Sequence, residues 1–81
     1  MSEFIEKIDK ETEVLEDRVR LLLGEDYSQS GVADCFKAMV VLRGFDDVDR
    51  ILDRLESELE KASDKARVKK SFLRELFEDF N

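Results

Sequence analysis

Apolar residues recur along this chain at alternating steps of three and four. Ile5, Ile8, Thr12, Leu15, Val19 and Leu22 form one such series, which keeps a single seam on one face of a helix over about three heptads. The spacing predicts a first helix over 3–23, with Ser2 as its cap and Gly24 as the residue that ends it. Charges fill its other faces. Glu3–Lys7, Glu6–Lys10 and Glu16–Arg20 stand in the favourable i, i+4 order, each contributing roughly 0.2–0.5 kcal/mol.

GEDYSQS (24–30) is the one convincing loop, after which Ser28 or Ser30 is expected to cap a second helix over 31–43. Here the pattern changes. Val32, Ala33, Cys35, Phe36, Ala38, Met39, Val40, Val41 and Leu42 surround the axis, so this helix reads as central and covered on more than one side. Gly44 is a natural stop, and Asp46 is the expected cap of a third helix.

From Phe45 the three-four alternation resumes through Val48, Leu52, Leu55, Leu59, Ala62, Ala66, Lys69, Leu73, Leu76 and Phe80. Either one helix runs about 50 Å, or the chain breaks near Ser63–Asp64 with Ser63 capping a fourth helix. The seam thins there to alanine and lysine, and a second stripe (Val68, Phe72, Leu76) begins just beyond, which favours the break. The expected fold is therefore all-α: a single helical domain over 1–81, built as a bundle of three to four helices at about 3–23, 31–43, 46–62 and 64–80.

Composition agrees with helix: no proline, three glycines, and 43% charged residues beside 42% hydrophobic ones, which is too apolar for disorder. The net charge of −7 repels nucleic acid and anionic lipid. It is unevenly placed. Residues 45–60 hold two arginines against seven acids, whereas 61–70 hold five bases against Asp64 alone. A single cysteine forms no internal disulfide, the start lacks the pattern of a signal peptide, and the longest apolar run is five residues; a soluble, cytoplasmic protein with no membrane span is expected.

Catalytic chemistry is poorly supplied. Histidine is absent, and Cys35 lies in the most apolar helix with no base at hand, so it reads as core and not as nucleophile. Asp46, Asp47, Asp49 and Asp53 suggest calcium, but counting from Asp47 places Leu52 where an EF-hand needs glycine, and a helix would splay the ligands. No Gly-rich phosphate loop or Cys/His metal spacing occurs, and neither a cofactor nor a metal is expected.

Two surfaces remain as candidates. Phe72, Leu73, Leu76, Phe77 and Phe80 form a broad apolar face near the C-terminus, which belongs either to the core or to a partner chain. Lys65, Arg67, Lys69 and Lys70 form a basic patch, read first as internal charge partners for the neighbouring acidic stretches. Nucleic-acid binding is disfavoured because no aromatic platform accompanies it. The leading expectation is a non-enzymatic protein–protein interaction module (an adaptor, regulator or chaperone-like protein), forming a homodimer in isolation. The rival is an acidic nucleic-acid mimic of the phage anti-defence kind, with a helical transcription modulator third. Heptads of Leu and Glu fit many unrelated helical proteins and single out no family.

Overall fold

The computed structural model describes the backbone of residues 2–80 and the side chains of residues 9–80. Its elements are α1 (Ser2–Leu23), a 3-10 turn (Gly24–Ser28), α2 (Val32–Arg43), α3 (Phe45–Lys61) and α4 (Lys65–Phe80), with no strand among the described residues. The four helices lie within a residue of the spans the apolar periodicity predicts. The long C-terminal pattern is divided at Ala62–Asp64, as the thinning of its seam implies.

Leu15, Val19 and Leu23 of α1 are buried with Val48, Leu52, Leu55 and Leu59 of α3, Phe36, Met39 and Val40 of α2, and Leu73 and Leu76 of α4, in one continuous core. Heptad spacing predicts Leu22 as the core residue in the last turn of α1. The structure buries Leu23 and leaves Leu22 half-buried. A straight α-helix drifts against a strict heptad, so the buried row runs in steps of four and comes out one residue later. Ser2, Ile5, Ile8 and the pairs Glu3–Lys7 and Glu6–Lys10 lie outside the described side chains. Glu16–Arg20 forms, at 3.5 Å.

The caps depart from expectation more than the helices do. Neither Ser28 nor Ser30 caps α2. Gly31, at φ +86°, takes the cap position with no side-chain bond, and its carbonyl accepts from Cys35 N–H at 3.0 Å. Only glycine enters that left-handed conformation without steric cost, so the turn closes there and the serines remain in the loop. Asp46 does not cap α3 either. Gly44 joins α2 to α3 directly, donating its N–H to Val40 O at 2.9 Å and accepting from Val48 N–H at 3.1 Å. Asp46 and Asp47 thereby fall inside the first turn of α3, where they complement the positive end of the helix dipole. At α4 the cap is Asp64 and not Ser63: its Oδ1 accepts from Arg67 N–H at 3.2 Å. The carboxylate stands one residue before the first helical residue, the place from which a side chain reaches the N3 amide.

α2 does touch α1, α3 and α4, most extensively α4. It is not covered all round, however. Val32, Cys35, Phe36, Met39 and Val40 are buried, while Val41 and Leu42 are 81% and 73% exposed. Three neighbours cover one broad face of a twelve-residue helix and leave the last turn open on the other.

Candidate functional site

The bend at Ala62–Asp64 folds α4 back onto α2 and α3. This places the C-terminal apolar face largely within the chain's own core. Leu73 and Leu76 are buried, and Phe72, Phe77 and Phe80 are half-buried against them. The single helix of about 50 Å that the three-four alternation also allowed does not form. What remains open on α4 is a set of aromatic edges.

Two of those edges, Phe72 and Phe80, line a groove of about 560 Å³ between α2, α3 and α4. Ile51 and Val68 add half-buried aliphatic surface, and Met39, Leu55 and Leu76 close the floor. The rim is charged. Arg54 is paired with Glu58 at 3.2 Å, and the Arg43 guanidinium lies 5.8 Å from the centre of the Phe80 ring. Neither Arg43 nor Arg67 has an ion-pair partner among the described residues, and the same holds for Glu75 and Asp79, which also line the groove. The groove therefore brings together members of both surfaces that sequence singled out: Phe72, Leu76 and Phe80 from the apolar face, Arg67 from the basic patch. Leu73, Phe77 and Lys70 line a second depression, toward the 3-10 turn.

The internal pairing expected of the basic patch is not seen. Among the described residues Lys65, Arg67, Lys69 and Lys70 form no salt bridge. Three of the seven acids of α3 are taken by another cation. Arg18 of α1 reaches Asp49 at 2.7 Å, Glu56 at 3.1 Å, and Asp53. Its pKa is raised by the hydrogen bond to Asp53 first and further by Glu56 and Asp49, with burial opposing. Lys69 finds a different compensation. Its half-buried stem lies in the seam, and its Nζ is 4.0 Å from where a Cβ on Gly24 would sit, beside the negative end of α1. That leaves Lys65, Arg67 and Lys70 exposed, the first two in the first turn of α4, where a cation is disfavoured by the helix dipole.

One polar cluster escaped sequence reasoning. Tyr27 donates its hydroxyl to Glu16 Oε2 at 2.9 Å, and Arg20 lies 5.3 Å from the Tyr27 ring centre while pairing with the same carboxylate. Glu16 is only 9% exposed. The ring meets Phe36 edge-on at 6.4 Å. This cluster fixes the turn to α1 and α2. Burial first, and the Glu16 carboxylate second, push the Tyr27 phenol up to about 12.

Cys35 is a free thiol and buried, as its place in the apolar helix predicts. Among the described residues no His, Cys, Asp or Glu group is arranged to hold a metal ion, so the calcium reading of the acidic run gains nothing. No helix in the described residues is long and apolar enough to cross a membrane. No family model, curated protein or solved structure matches the chain.

Proposed function

We propose that this protein is a non-enzymatic interaction module, an adaptor or regulator that receives an amphipathic helix of a partner protein in the groove between α2, α3 and α4. The observation that carries the reading is the groove itself: an apolar floor contributed by three helices, with Arg43 and Arg67 left without ion-pair partners on its rim among the described residues. Helix-in-groove recognition needs such a floor for a ridge of apolar side chains, with charges around it to set direction. Arg67 stands toward the start of α4, while Arg43 lies beside Phe80 at the end where Asp79 also stands, so free charges of both signs border the floor.

The acidic-mimic reading is less well supported, because Arg18 engages three carboxylates of the α3 face that such a mimic would need free.

Affinity capture from the source organism, then binding measurements with the purified partner, tests the reading. Arg43→Glu/Arg67→Glu should abolish capture of a defined protein that wild type and the distant control Arg50→Glu both retain. The captured protein should then bind the purified chain through a helical segment. Capture indifferent to the double substitution, or none at all, would sink it.

A further inference from the structure

The bend at Ala62–Asp64 makes α3 and α4 separate helices, and a bend leaves their rotational phases free of one another. The two helices are in phase nevertheless. The three-four alternation runs from Phe45 to Phe80 through Ala62 and Ala66 without a slip, and each of its positions except Ala66 is buried or half-buried. One continuous helix over 45–80, about 50 Å long, would carry that whole seam on a single face.

No residue type enforces the bend. Positions 62–64 hold neither glycine nor proline, and Ala62 leaves the helix through an ordinary extended conformation, φ −78° and ψ 137°. The bent form carries two local penalties. The last carbonyls of α3 and the first amides of α4 have no helical partner, and Asp64 Oδ1 satisfies only one of them, Arg67 N–H. Lys65 and Arg67 stand without ion-pair partners against the dipole of α4. A straight 45–80 removes both penalties, because the two helix ends disappear. What a lone straight chain loses is the seat of α4 on α2 and α3, where Leu73 and Leu76 are buried.

We infer that α4 of a second copy also fills this seat: two chains straighten at 62–64 and exchange α4, each completing the bundle of the other. An identical α4 remakes the same buried contacts, which is why such exchange is a low-cost route to a dimer. It sets two long helices side by side and antiparallel, seam against seam. Each groove then takes its α2 and α3 walls from one protomer and its α4 wall from the partner. The inference does not depend on what the groove receives.

Sedimentation velocity of the full chain, unfolded in urea and refolded at about 1 mM, tests the inference. The wild type should give dimer beside monomer. Lys65→Pro should fold as a monomer with an unchanged helical spectrum, since proline suits the first position of a helix. In the straight form the same proline clashes with the preceding turn, once in each chain, so dimerisation should weaken by at least about a hundredfold. Lys65→Ala removes the same charge without the clash and should still dimerise. Ser63→Ala/Asp64→Ala deletes the cap and favours helix through the hinge, so it should strengthen dimerisation at least about tenfold. Refolded wild type without dimer overturns the inference. So does a dimer that survives Lys65→Pro, one lost equally in Lys65→Ala, or one that Ser63→Ala/Asp64→Ala weakens.

Discussion

Tyr27 is the only tyrosine in a chain without tryptophan, so its ionisation can be followed directly by phenolate absorbance. In the native protein the midpoint should lie at about 12, and in denaturant near the ordinary 10. The folded state holds the phenol proton more tightly than the unfolded chain does. The associated stability is therefore intact below pH 10 and is lost as pH rises from 10 through 12. Glu16→Gln should lower the native midpoint without returning it to 10, because burial is the larger cause. Arg18 gives a second reading at this scale. Asp49, Asp53 and Glu56 are like charges at i, i+4 and i, i+3 on one helix, an arrangement that is repulsive when left alone. Arg18→Met keeps the stem and removes the charge. With the partners half-exposed or more, it should cost only about 1 kcal/mol in low salt, a loss that shrinks in about 1 M salt. Comparing denaturation midpoints of the two proteins at both ionic strengths measures this. Of the two clusters only the Glu16–Arg20 pair was legible beforehand. Arg18 and its three acids are 31 to 38 positions apart, and periodicity shows which face a residue lies on, not which neighbour that face will meet.

Helix extents were readable because α1, α3 and α4 carry apolar residues at helical spacing and α2 is a nearly continuous apolar run between Gly31 and Gly44. Helix ends were not, since Ser63 and Asp64, or Ser30 and Gly31, are adjacent residues with equal claims by composition. Backbone geometry decides between them. Asp64→Ala should destabilise by about 0.5–2 kcal/mol, whereas Ser63→Ala should change little. Urea denaturation of the two variants separates them, and the reverse order would mean that Ser63 holds the N-terminus of α4. α2 shows the other limit of pattern reading. Its composition announces burial on every side, yet a helix three turns long has too few neighbours to cover Val41 and Leu42. How much of an apolar circumference is used is a property of the assembled bundle.

At the scale of the molecule, the bend at 62–64 determines whether the C-terminal face is core or interface, and sequence alone held those options level. A chain ending at residue 70 lacks Leu73 and Leu76, both buried, along with the three half-buried phenylalanines packed beside them. Losing one buried leucine side chain costs about 2–5 kcal/mol, and a domain has only about 5–15 kcal/mol in total. Circular dichroism of the 1–70 fragment should therefore show an unfolded chain. A folded, cooperative fragment would mean that α4 is an accessory and not part of the bundle.

The joint between α2 and α3 has a consequence for how this sequence can change over generations. Gly44 sits at φ +88°, ψ +163°, with nothing within 4 Å of the place a side chain would begin. Space permits any residue there, and conformation permits almost none but glycine, at about 1–3 kcal/mol for the rest. Gly44→Ala should cost about that much in a thermal melt. A lineage drifting freely through the exposed charges around it would find this open, solvent-side position nearly frozen, a constraint that no count of contacts reveals.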